Sequence, residues 1–194
     1  TKHNLIIEVA SLLSFSALKN NDKVGLLIFT DTVEKFIPLN KGRNHVLRII
    51  RELIEFEPKN TKTDIANTLE YFNRIQSRGS VTFLITDICS ELPKKEIDIT
   101  KKRHDFIVCL VNDMLEYEMP NLGGTLIMSD LENDDFVYFD MSNKIVKEKY
   151  LIEQNKIMED KLNFLKKNSV ERILLDTSSD YVNEIMKFFI KRIR

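Results

Sequence analysis

Apolar residues fall along this chain in two rhythms. Two continuous runs, Val24-Gly25-Leu26-Leu27-Ile28-Phe29-Thr30-Asp31 and Val81-Thr82-Phe83-Leu84-Ile85-Thr86-Asp87, are bounded by polar residues, and each ends in Thr-Asp. Short runs rich in Val, Ile, Leu and Phe predict strands buried on both faces, as in a parallel sheet covered by helices. Helical spacing surrounds them. Leu5, Ile6, Val9, Leu12, Leu13 and Leu18 share a face, with Asn4 as N-cap. Val33 to Leu39 alternates and carries Pro38, which suits an edge strand in a hairpin with the first run. Asn44 opens a helix from His45 to Phe56 that Pro58 ends, and Ile65, Leu69, Phe72 and Ile75 line a helix from Asp64 to Gln76. A short helix near Lys94–Lys102 and a strand from Phe106 to Val111 follow the second run.

The later chain differs. Residues 120–141 alternate short apolar runs about Glu132-Asn133-Asp134-Asp135, which predicts a β-hairpin excursion with an acidic turn. Ser142 opens a long charged helix to about Lys167, with Asn168 after it. A strand from Arg172 to Leu175 leads through Asp176-Thr177-Ser178-Ser179 to a terminal helix over 180–193. Strand and helix alternate without a repeat or linker. The prediction is therefore one α/β domain over residues 1–194, a doubly wound, Rossmann-like, mostly parallel sheet with an antiparallel edge strand.

Composition adds exclusions. A chain of 194 residues buries about 70% of its unfolded surface. It is 43% hydrophobic and 30% charged, with net charge −1 and no basic stripe, which argues against nucleic-acid binding. No apolar run nears the roughly 20 residues that span a bilayer. The absence of a starting Met and of a signal-like segment suggests that Thr1 is internal to a longer protein. Cys89 and Cys109 are the only cysteines and read as reduced, partly buried thiols in a cytoplasmic protein.

Candidate chemistry is sparse. Five glycines form no phosphate loop or dinucleotide fingerprint, and there is no G-x-S-x-G elbow. His3, His45 and His104 lie far apart and read as exposed or capping residues. Thr63, at a loop-to-helix start, and Asp87, at a strand end, are oxygen donors of the kind Mg²⁺ takes. Both have a plainer reading: Thr61-Lys62-Thr63-Asp64 has the spacing of a helix cap, and Asp87 begins a solvated loop. Open α/β sheets bind ligands outside the carboxyl ends of their strands, so Asp31 and Asp87 mark the edge of interest.

An ordered set of segments then carries a resemblance. Asp22-Lys23-Val24-Gly25-Leu26, Lys41-Gly42-Arg43, Thr63-Asp64-Ile65, Thr86-Asp87 and Asn112-Asp113…Glu116…Pro120…Gly123 are closed by Asp176-Thr177…Asp180-Tyr181. Over essentially the whole chain this resembles the bacterial von Willebrand factor A-like proteins grouped as a domain of unknown function and encoded beside MoxR-type AAA+ ATPases. The resemblance implies a von Willebrand A fold with a metal-ion-dependent adhesion site for Mg²⁺ or Mn²⁺, in which Thr63 and Asp87 match two ligands. It implies a non-catalytic protein-interaction role, with a MoxR-type ATPase as the partner.

One departure is informative. The family's first strand and its Asp-x-Ser-x-Ser loop, which supplies the remaining ligands, are absent from this chain. That strand would lie between the runs at 24–30 and 81–86, so the chain reads as N-terminally truncated. The two runs are expected either to close up or to accept another chain's strand, since bare apolar edges invite aggregation. Metal binding to the two remaining ligands is expected to be weak or absent. The competing expectations are a metal-assisted hydrolase that uses Asp31 and Asp87, and a scaffold without metal.

Overall fold

In the computed structural model, which describes residues 1–113, 125–129, 136–140 and 143–193, strands and helices alternate. Along the chain run α1 (Lys2–Lys19), β1 (Val24–Phe29), β2 (Val33–Asn40), α2 (Arg43–Ile54), α3 (Ile65–Ile75), β3 (Val81–Asp87) and α4 (Lys94–Arg103). There follow β4 (Asp105–Asn112), β5 (Thr125–Ser129), β6 (Phe136–Asp140), α5 (Lys144–Lys167), β7 (Glu171–Asp176) and α6 (Tyr181–Ile193). The expected α/β architecture is present.

The main sheet is parallel, in the order β3-β4-β7. Phe106 to Val111 are all buried, because β4 is central and covered on both faces. Alternation along the strand divides it between two cores. Phe106, Val108 and Leu110 join Leu84 of β3 beneath Ile65 and Leu69 of α3, Ile97 of α4 and Leu165 of α5. Ile107, Cys109 and Val111 join Ile173 and Leu175 beneath Leu5 and Val9 of α1 and Ile185 of α6. Each fully buried aliphatic side chain here contributes about 1.5–3 kcal/mol of transfer free energy.

β1 and β2 form a separate antiparallel pair, with Leu27 opposite Phe36. Its third core joins Ile37 of β2 to Ile49 and Leu53 of α2, with Ile7 and Ala10 of α1 packed against it. α1 therefore packs on both sheets. β1 is not hydrogen-bonded to β3, so the two Thr-Asp runs do not close up. This corrects the reading of both runs as strands buried on each face: β1 is half-buried throughout and β3 exposes Val81, whereas β4 is the strand sealed on both sides. The hairpin excursion appears as β5 paired antiparallel with β6, Ile127 opposite Tyr138. Its acidic turn and Ser142 lie outside the described residues.

Helix starts differ from the sequence expectation more often than the helices themselves. α1 begins one turn early, with Thr1 as N-cap accepting from the Asn4 amide, so Asn4 lies inside the helix. Gly42, at φ 99°, precedes α2 in place of Asn44. α3 is capped by Asp64, whose carboxylate accepts from the Asn67 amide at 2.9 Å, so the cap does not use Thr61. Asn168 follows α5 as expected.

Candidate functional site

Asp87 ends β3 and lies beside Val111 in the register. Its Oδ1 accepts from the Ser90 amide at 2.9 Å and the Ser90 hydroxyl at 2.6 Å, closing the first turn of the loop to α4. The same device recurs two strands away. Asp176 ends β7, and its Oδ1 accepts from the Ser178 amide at 2.8 Å and hydroxyl at 2.5 Å. Asn112 of β4 pairs with Asp176 in register and donates to its Oδ2 at 3.2 Å. The carboxyl edge of the parallel sheet is thus polar and locally braced before any ligand arrives.

Asp31 belongs to the other sheet. Its Oδ1 accepts from the Asn60 side chain at 2.7 Å, and its carbonyl accepts from the Asn67 side chain at 3.1 Å. The Asp64 amide donates to the Thr30 carbonyl at 2.9 Å, which brings the segment carrying Thr63 to the end of β1. Beside it, the Thr30 hydroxyl donates to Glu34 at 2.7 Å and the Lys59 amide reaches the same carboxylate. These donors, the hydroxyl first, hold the Glu34 carboxyl below its usual range. Thr63 is exposed. The structure therefore holds the segment carrying Thr63 at the end of β1, while Asp87 ends a strand of the other sheet, and no hydrogen bond joins Asp87 to Thr63 or Asp31.

A metal can be tested against these donors. Mg²⁺ demands near-octahedral oxygen coordination. Thr63 and Asp87 offer two side chains, and one oxygen of Asp87 is already committed to Ser90. Among the described residues no group of three or more His, Cys, Asp or Glu is arranged to hold a metal ion. These residues do not by themselves fit a divalent ion.

A cation is nonetheless present. Lys161 of α5 donates from Nζ to the Ser90 carbonyl. Burial pushes the Lys161 ammonium below its ordinary range, while Glu91, Asp87 and Cys89 pull in the opposite direction. Beside it lies a cavity of about 570 Å³, with Cys89, Glu91 and Leu92 on the loop side and Ile157 and Phe164 on α5. Lys161 was not legible in the sequence, where it is one lysine among many in a charged helix. Its signal is half-burial at a position flanked by Ile157, Leu162 and Leu165.

His3 is exposed as expected, whereas His104, His45 and the burial of the two cysteines need correction. His104 is 5% exposed, with Nδ1 2.9 Å from the Ser80 hydroxyl and its ring 4.9 Å from that of Phe72. Desolvation, with repulsion from Arg103 second, pushes its pKa down. His45 Nε2 lies 2.8 Å from the Val24 carbonyl. Cys89 is exposed, while Cys109 is fully buried and its thiol is pushed up to about 12.

A three-stranded parallel sheet flanked by helices, with an antiparallel pair beside it, defines a Rossmann-like α/β domain. The crystal structure of a conserved hypothetical protein BatB from Bacteroides thetaiotaomicron has this fold, at TM-score 0.50 and 14% identity over 95% of this chain and 87% of that one. The chain belongs to the DUF58 family of proteins of unknown function, whose model matches residues 1–159. Uncharacterized proteins of Mycobacterium tuberculosis and Mycobacterium bovis are 21% identical over 135 residues, which is 68% of this chain and 42% of each relative. The chain thus spans less than half the length of these relatives. None of the described helices is long and apolar enough to cross a membrane.

Proposed function

We propose that this chain is a non-catalytic protein-interaction domain that works in the cytoplasm with a MoxR-type AAA+ ATPase, in the assembly or maturation of a larger complex. The observation that carries this reading is the braced carboxyl edge. Asp87 with Ser90, and Asp176 with Ser178, fix two loops in advance, so a partner docking there loses little loop entropy. The von Willebrand A resemblance supports the same edge and the same partner class. It also implies Mg²⁺ or Mn²⁺ at Thr63 and Asp87, which would require ligands beyond those two. The reading as an interaction surface does not depend on the ion.

Co-purification of the full-length protein with the ATPase encoded beside it tests the proposal, with and without Mg²⁺ and ATP. A complex that Asp87→Ala weakens is the expected result. No complex under any of the four conditions overturns the reading.

A further inference from the structure

We propose that Lys161 is the resident cation of the carboxyl edge, an ammonium carried in on α5 that ties down the loop after β3 where a divalent ion would otherwise order it. Three bonds make the tie continuous. Lys161 donates to the Ser90 carbonyl, and Ser90 donates through both its amide and its hydroxyl to Asp87. Cys89, Glu91 and Asp160 line the same cavity as Lys161, and the charges of Glu91 and Asp87 favour the ammonium. The aliphatic stem runs among Leu92, Ile157 and Phe164 at the cavity wall. A lysine placed for solubility would point into water, as the exposed Lys149 and Lys156 do on the same helix.

The tie has a consequence for metal binding. An ion at Asp87 and an ammonium one residue's reach away repel each other in a half-buried setting, where screening is poor. The edge therefore holds one or the other. Because Lys161 belongs to α5, whatever displaces it also removes that helix's polar tie to the loop and leaves only the apolar packing of Leu92 with Leu165. The device couples the ligand edge to a helix on the outer layer. It stands independently of the ATPase, since a failed co-purification leaves it untouched.

Amide exchange and thermal melting of residues 1–194 test it, each with and without about 10 mM Mg²⁺. In Lys161→Met, which keeps the stem and removes the charge, the Ile88–Leu92 amides should exchange about tenfold faster. The melting temperature should fall by about 4 °C. Lys161→Arg should retain most of the protection, and Lys156→Met should match the parent. Mg²⁺ should leave the parent's melting temperature unchanged. Unaltered loop exchange in Lys161→Met overturns the proposal. So does a saturable Mg²⁺ stabilisation of the parent that Asp87→Ala removes, because the edge would then be a metal site. Should Lys161→Met fail to fold, the arginine variant and the parent's Mg²⁺ response still decide.

Discussion

β4 and β1 are built from nearly the same alphabet, Phe-Ile-Val-Cys-Leu-Val and Val-Gly-Leu-Leu-Ile-Phe, yet they occupy different environments. β4 is hydrogen-bonded on both edges and packed on both faces, so six consecutive side chains are sealed. β1 is bonded only to β2, and every one of its residues is half-buried. Composition alone does not distinguish the two. What separates them is the number of neighbours a strand receives, which depends on chain topology and not on the strand's own residues.

The largest expected effect breaks or confirms this contrast with one chemical change at two places. Leu110→Ala in β4 should cost about 3–4 kcal/mol, from lost transfer free energy and the cavity left behind. Leu26→Ala in β1 should cost about 1–2 kcal/mol, because part of that side chain is already in water and its surroundings can relax. Urea denaturation of both variants measures the difference. Equal losses would mean that β1 is as enclosed as β4.

Next in size is Gly25, which lies at an irregularity where the register with β2 shifts. A Cβ built there would meet the Ile37 carbonyl oxygen at 2.9 Å and the Leu39 nitrogen at 3.2 Å, both backbone atoms of the partner strand. Gly25→Ala should therefore destabilise by about 2 kcal/mol by prying β1 from β2. Amide exchange should rise in β2 and leave β4 unchanged. Spread of the effect into β4 would show that the two sheets open as one.

The smallest effect at neutral pH belongs to the parallel sheet and grows with acid. His104 hydrogen-bonds Ser80 at the entry to β3, and the Asp105 amide donates to the Ser80 carbonyl at 2.9 Å. In the unfolded chain the imidazole protonates near its ordinary 6.5, while burial and Arg103 hold the folded value lower. Below 6.5 the unfolded state binds more protons, so the contribution is complete above that pH and is lost as pH falls through the folded value. Stability should decline as pH falls below 6.5, and His104→Gln should flatten that limb. An unchanged slope in the variant would assign the acid sensitivity elsewhere.

The elements were legible where a local pattern decides them. Apolar runs located β1, β3 and β4, and the spacing of Ile65, Leu69, Phe72 and Ile75 located α3. Pairing was not legible, because an apolar strand does not name its neighbours. Two cap positions differ from expectation for a physical reason: Thr1 and Gly42 each precede helical residues that are themselves polar, so the first periodic apolar residue lies inside the helix. At α3 the cap, Asp64, directly precedes the apolar Ile65, and Thr61 lies too far upstream to serve. At the candidate site, Asp87 was found because strand ends bear ligands in this fold class. Lys161 was not legible there because it gains its role from burial and from Ser90, distant in sequence, and at the opposite edge of the sheet His104 gains its role in the same way from burial and from Ser80.

α1 ties the two sheets together on one face, as α3 does on the other, where Ile65 and Leu69 cover β3 and β4 while Asn67 donates to the Asp31 carbonyl. Leu5 and Val9 press on β4 and β7, while Ile7 and Ala10 press on the β1–β2 pair. The α1 rod thus acts as a yoke across a seam that, among the described residues, no ladder of backbone bonds crosses. A pull or a clash that lifts its midpoint loads both halves at once, and a tilt of the rod turns one sheet against the other with little stretching of either.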